Sequence, residues 1–371
     1  MSEVVRRFVT GRASNMRAML ARSPSVWGDI SSGTRLEHAT FYCRLRDATL
    51  LDTLEFYSED LRLLREIADE VTVCTKFRSL IRAKPGLLWV WWHASALPAI
   101  VFWRLMRRPV VATGAVDLSN SVESSVRHRL KRRLTYLAAR LSHVNVSISE
   151  YERLDLTQLS KKLTVRTLYP GVDCSYFRPT DVSDTPLATV VAQVNGPSIQ
   201  RKGLDRLIEA FVDVRRRIPG ARLVVIGPIK PDGTRWIESF KPSDLEGVEF
   251  VGYVERDRKR DLVSSSWVYV QPSRYEGFGL AVAEATACGV KPIVTSVGSL
   301  PEVVGSVGVI SGGSAASLAD SICDALASRP TTETQVAIAH EALRFASATR
   351  TDRFRRLIGE LVGKIASDAT S

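Results

Sequence analysis

The sequence predicts an α/β protein made of two successive domains, each a parallel sheet flanked by helices. Three observations lead there. The chain has 371 residues, more than one hydrophobic core ordinarily serves. Short apolar runs alternate with helical stretches along most of its length, the pattern of repeated βα units. A polar stretch over Thr180–Pro186 divides that alternation into two blocks. The expected domains are therefore 1–180 and 187–345. Residues 346–371 read as a C-terminal helix able to cross back to the first domain.

In the first block, residues 1–35 set Val4, Val5, Phe8, Val9, Met16, Met19 and Leu20 at roughly helical spacing with Arg6, Arg7, Arg12, Arg17 and Arg22 between them. The stretch suits an interfacial helix or one packed on the domain. Strands are expected at Thr40–Leu45, Glu70–Thr75, Leu87–Trp92, Pro109–Thr113 and Val144–Ser149. Helices are expected at Ser58–Ala68, Leu97–Met106 and Val122–Leu141. The run Leu87–Leu105 is nearly long and apolar enough to span a membrane. His93, Pro98 and Arg104 interrupt it, so it reads as a strand, a turn at His93–Ala96 and a helix. Glu150–Ser160 is helical in character and Thr164–Leu168 β-like.

The second block alternates more cleanly. Strands are expected at Ala188–Val194, Leu223–Ile226, Val248–Val251, Val268–Gln271, Pro292–Thr295 and Gly308–Ile310. Helices are expected at Leu204–Arg217, Arg256–Ser264, Leu280–Cys288, Ala315–Ala327, Glu333–Arg344 and Thr351–Ile365. Open parallel sheets take ligands at the carboxyl ends of their strands.

The net charge of +11 is unevenly spread: residues 1–180 hold 28 Lys/Arg against 17 Asp/Glu, and the remainder holds 23 of each. A basic first half suggests an anionic partner. No zinc-finger spacing or aromatic RNA-binding signature is present, so nucleic acid is not expected. An anionic membrane surface or a lipid-linked acceptor fits better, with the densest charge on Val122–Leu141 (Arg127, Arg129, Lys131, Arg132, Arg133 and Arg140). Five scattered cysteines without paired spacing suit free thiols in a reducing compartment. The N-terminus lacks a clean secretory pattern. The expected location is cytoplasmic, at the inner face of the membrane.

The most specific feature is Ser273-Arg-Tyr-Glu-Gly-Phe-Gly-Leu280, which follows a β-like run and enters a helix. A helix start offers unpaired N–H groups and partial positive charge to a diphosphate. Gly277 and Gly279 allow close approach of the backbone. Glu276, in the turn, is placed for sugar hydroxyls, and Glu284, about one helical turn in, for a ribose diol. Arg201 and Lys202 follow the first strand of the second block, where two cations could neutralise a leaving nucleoside diphosphate.

Other stretches stand in the same order: Val146-Ser-Ile-Ser-Glu-Tyr-Glu-Arg153, Gly171-Val-Asp173, Phe177-Arg-Pro179, Arg201-Lys-Gly-Leu-Asp-Arg-Leu-Ile-Glu-Ala-Phe211, Phe250-Val-Gly252 and Pro301-Glu-Val-Val304. Together they resemble glycosyltransferase family 4, strongly over the second block and weakly over residues 1–140. The resemblance implies a GT-B fold, two Rossmann-like domains facing a central cleft. It also implies retaining transfer of a sugar from a nucleotide-diphosphate donor to an acceptor hydroxyl, with no cofactor and no essential metal; the acceptor, expected to be a glycan or a lipid-linked molecule, is suggested only by the basic first half. By the same resemblance, Glu276 contacts the donor sugar, and the amides of Gly277, Phe278, Gly279 and Leu280 contact sugar and phosphate. Arg201 and Lys202 bind the diphosphate, and Glu284 the ribose.

Two positions depart from the family. Pro197 stands where the family has an arginine, leaving Arg201 as its candidate substitute. No histidine follows Pro109–Thr113, which leaves Asp117 or His93 to face the reacting centre. These departures, at Pro197 and Ala115, keep open a second reading: a catalytically silent GT-B protein that binds a nucleotide sugar or supports a partner enzyme.

Overall fold

The computed structural model describes residues 35–53, 55–114 and 126–370. The helix expected near the N-terminus, the start of the one expected at Val122, and Asp117 lie outside the described residues.

Two six-stranded parallel sheets organise the chain. The first contains β1 (Leu36–Cys43), β2 (Ala68–Cys74), β3 (Leu87–Trp91), β4 (Val110–Thr113), β5 (Val144–Ser147) and β6 (Val165–Thr167), in the order β2-β1-β3-β4-β5-β6. Its longer helices are α1 (Glu55–Ile67), α2 (His93–Leu105), α3 (Val126–Leu141) and α4 (Glu150–Leu159). Every residue of β3 is buried, which explains its unbroken apolar sequence: a strand covered on both faces does not alternate. The indoles of Trp89 and Trp91 both donate to the buried Asp60 Oδ2, at 2.9 Å each.

The turn expected at His93–Ala96 is instead the first turn of α2. Trp92 adopts a left-handed φ of 69° and reverses the chain within one residue, so the helix starts at once. Among the described residues no helix is long and apolar enough to cross a membrane.

The second sheet contains β7 (Leu187–Val191), β8 (Arg222–Ile226), β9 (Val248–Gly252), β10 (Val268–Gln271), β11 (Lys291–Thr295) and β12 (Val309–Ser311). Its helices are α5 (Gly196–Lys202), α6 (Leu204–Arg217), α7 (Pro231–Glu238), α8 (Arg256–Ser264), α9 (Leu280–Ala287), α10 (Leu300–Val304), α11 (Ala315–Leu326) and α12 (Thr332–Glu341), followed by α13 (Ser347–Thr370). The order β12-β11-β10-β7-β8-β9 reverses direction between β7 and β10. That topological switch opens a crevice at the carboxyl ends of the two strands.

The chain forms two compact units, whose limits differ from the expected domain boundaries. Of the described residues, one gathers those up to Ser147, Asp155–Arg166 and those from Asp352 onward; the other gathers Ile148–Leu154 and Thr167–Thr351. Residues 167–180 go with the second sheet because Val172 and Phe177 are buried in its core and Val172 N–H donates to Phe345 O. α13 from Asp352 onward goes with the first, where Phe354 lies 5.1 Å from Trp89 between ring centroids. All five cysteines are free thiols.

Candidate donor site

The site is built on two connections at the switch point, β7 to α5 and β10 to α9. α5 was not among the helices expected from the sequence. Asn195 in fact caps the helix, its side chain accepting from Ser198 N–H at 2.8 Å, with proline in the first helical turn where no N–H is required. α5 ends at Gly203, whose φ of 70° turns the chain directly into α6. A Cβ there would meet Pro272 O at 2.0 Å, so the helix corner rests against the start of the β10 loop. Arg274 fastens the two together. Its amide donates to Arg201 O, and its guanidinium reaches Gln200 O and both carboxylate oxygens of Asp205, all at 2.8 Å.

This stitching brings Lys202 onto Glu276. Lys202 Nζ donates to Glu276 Oε2. The same oxygen accepts from Gln271 Nε2 at 3.0 Å and Ser273 Oγ at 3.4 Å. Arg201 sits on the outer side, its Nη1 3.9 Å from Glu276 Oε1 and its side chain 43% exposed. Burial pushes the Lys202 ammonium below the usual lysine range, while the Glu276 charge pulls it back up.

Gly279, at φ 94°, closes the turn and begins α9. Ser299 Oγ ties the turn down by donating to Gly277 O and Phe278 O, both at 2.9 Å. The Phe278 ring is buried 5.3 Å from Phe345 and 6.0 Å from Tyr169, so this residue can meet a ligand only through its backbone. Leu280 is the first residue of the helix, whose leading N–H groups have no intrahelical partner.

Glu284 is buried on α9, and Lys259 Nζ reaches both of its oxygens at 3.1 Å. Burial, with the Glu284 charge as a further cause, pushes the nearby Cys288 thiol up to about 12. The second unit thus brings together Arg201, Lys202, Glu276 and the glycine turn, and pairs Glu284 with a cation. Lys259, Gln271, Ser273 and the Arg274–Asp205 latch were missed from sequence. For Gln271 and Ser273 a signal existed: polar residues that close an apolar strand just before a turn glutamate.

His93 does not match its expected role. Its side chain is almost wholly buried, Nε2 lies 3.0 Å from Asn145 Oδ1, and burial lowers its pKa to about 4. It is a neutral histidine of the first unit's interior.

The two Rossmann-like sheets define a GT-B fold, and solved structures agree. Anabaena HepE, solved in complex with UDP, superposes with a TM-score of 0.68 over 87% of this chain and 100% of that chain, at 17% identity. The sequence comparison agrees: residues 190–342 match the model of the glycosyl transferases group 1. One relative is the Arabidopsis thaliana phosphatidylinositol N-acetylglucosaminyltransferase, matched in one of its subunits, which is 34% identical over 136 residues, 36% of this chain and 30% of that protein. Another is the GDP-mannose-dependent alpha-(1-6)-phosphatidylinositol monomannoside mannosyltransferase of Mycobacterium tuberculosis, 30% identical over 184 residues, 44% of this chain and 46% of that protein. The chain spans less than half the length of these curated relatives.

Proposed function

We propose that the protein is a glycosyltransferase that moves a sugar, with retention of configuration and without an essential metal, from a nucleotide-diphosphate donor to the hydroxyl of a glycan or lipid-linked acceptor. The observation that carries the reading is the buried Glu276, held by Lys202 at a glycine turn on the switch point of the second sheet. A carboxylate there suits sugar hydroxyls, and the helix start and cations beside it suit a diphosphate. Glu284 lies farther along the same helix, placed for the ribose.

In this reading the chain's residues position reactants and stabilise charge. The bond from the anomeric carbon to the β-phosphate oxygen breaks, and the nucleoside diphosphate leaves. Its departing oxygen takes the proton of the acceptor hydroxyl, whose oxygen bonds the anomeric carbon on the same face. Lys202 and Arg201 meet the negative charge that grows on the phosphate. Asp117 remains a proposed contributor on the acceptor side.

Both relatives carry phosphatidylinositol in their names. With the exposed cations of α3, these support an acceptor at an anionic membrane surface and a peripheral, cytoplasmic-face location.

The test is a thermal-shift panel with UDP, GDP, ADP and dTDP on the wild type and on Glu284→Ala. A ligand of the folded state must raise the melting temperature. We expect a rise with one nucleotide that the variant loses. No rise with any of them would overturn the donor-site reading and favour a silent scaffold.

A further inference from the structure

The Glu276 carboxylate is held asymmetrically. Oε2 faces three donors: Lys202 Nζ, Gln271 Nε2 at 3.0 Å and Ser273 Oγ at 3.4 Å. Arg201 Nη1 lies 3.9 Å from Oε1. One oxygen is therefore saturated from the protein side and the other is presented. Lys202 is a conditional partner, because each phosphate oxygen it engages draws it from the carboxylate.

Gln271 is different. It is 1% exposed and its amide is committed on both ends. Its Oε1 accepts from the Tyr269 hydroxyl at 2.7 Å, while its Nε2 donates to Glu276 and to Ser273 Oγ, each at 3.0 Å. Tyr269 in turn accepts from Val191 N–H at 3.3 Å, at the end of β7. A chain of hydrogen bonds thus runs from the backbone of a central strand to Glu276. Its last donor is uncharged, so a diphosphate does not compete for it. We infer that Gln271, anchored by Tyr269 and assisted by Ser273, is a positioning residue that keeps Glu276 aimed at the donor sugar while Lys202 serves the diphosphate. The inference rests on the donor-site reading above.

Calorimetry on the full chain tests it with two probe pairs, GDP against GDP-mannose and UDP against UDP-N-acetylglucosamine. For the pair the wild type binds, Gln271→Leu should weaken the nucleotide sugar by about tenfold or more, since misplacing a contact is costly, and leave the bare diphosphate within about twofold. Gln271→Glu should show the same loss at about pH 8 and recover as the pH falls to about 5, because burial and the neighbouring Glu276 carboxylate hold the introduced carboxyl above the usual glutamate range and let it regain a proton to donate. Ser273→Ala, which barely changes volume, should give a smaller loss in the same direction, and decides the matter if Gln271→Leu does not fold. Equal weakening of sugar nucleotide and diphosphate, no weakening, or no recovery in acid would overturn the positioning role. A wild type that binds none of the four probes overturns the donor-site reading itself.

Discussion

Lys202 and Glu276, 74 positions apart in the chain, meet as an ion pair whose side chains are only 14% and 11% exposed. A buried pair of this kind is weak as a source of net stability but costly to break from one side. The arrangement therefore couples the folding of the β10 loop to the charge that the site offers a ligand.

Removing the lysine alone should show this coupling. Lys202→Met strands the Glu276 carboxylate with only neutral donors and the distant Arg201, a loss of about 3 kcal/mol or more. The melting temperature should fall clearly, and adding Glu276→Gln should restore most of it. Both single variants should lose sugar transfer. Arg201→Ala, at an exposed position, should cost less than about 1 kcal/mol yet weaken nucleotide binding. A double variant no more stable than Lys202→Met would refute the coupling.

The backbone under Glu276 makes a second prediction. Gly298 has φ 54°, and a Cβ there would lie 2.1 Å from Glu276 O. Gly298→Ala combines a left-handed conformation, about 1–2 kcal/mol against an L residue, with a clash against backbone. We expect lower stability and a displaced Glu276, read as weaker nucleotide-sugar affinity. Gly313→Ala is the control, since nothing lies within 4 Å of its Cβ. Equal behaviour of the two variants would remove this argument.

Acid stability follows from His93. Its folded-state pKa is lowered to about 4 from 6.5, because burial excludes the charged ring. Between those values the unfolded chain binds a proton that the folded one refuses, so stability is full above about pH 6.5 and declines as the pH falls toward 4. The contribution is at most about 3 kcal/mol. His93→Gln keeps a donor for Asn145 and should flatten the dependence of melting temperature on pH in that window. His143, lowered to about 4 by burial and by Arg104 and Lys364, still titrates in the variant. Parallel curves for variant and wild type would show that His93 is not responsible.

These relationships differ in how far sequence could show them. Val268–Gln271 and Leu204–Arg217 were expected with the bounds observed, because apolar runs and helical periodicity are local signals. Glu276 and the glycine turn were legible for the same reason: strand, turn and helix start lie within a dozen residues. α5 was hidden because it is only seven residues long and its cap is recognisable only once the Asn195–Ser198 bond is seen. The Lys259–Glu284 and Arg274–Asp205 pairs span 25 and 69 positions, and no local pattern names such partners. His93 misled because a histidine at a strand end looks alike whether it faces a ligand or the interior.

The surface of α3 gives the last prediction. Arg129, Lys131, Arg132, Arg133 and Arg140 are exposed, and so are Val126, Leu130 and Leu137. Leu130 and Leu137 lie seven residues apart, hence on one stripe of the helix, with cations on either side. Apolar residues between cations are what an in-plane membrane helix presents, the former entering the headgroup boundary and the latter meeting anionic lipid. Each cation near such a surface contributes about 1 kcal/mol, so neutralising Arg129, Lys131, Arg132 and Arg133 to glutamine should weaken vesicle binding by about two to three orders of magnitude. Co-sedimentation with phosphatidylserine-containing vesicles measures it, with phosphatidylcholine vesicles as reference. Wild-type binding should fall steeply with salt, since screening shortens the reach of these charges. Replacing Leu130 and Leu137 by serine should instead lower binding at every salt concentration. Retention of the quadruple variant on anionic vesicles would place the contact elsewhere and leave the α3 cations as a solvated face.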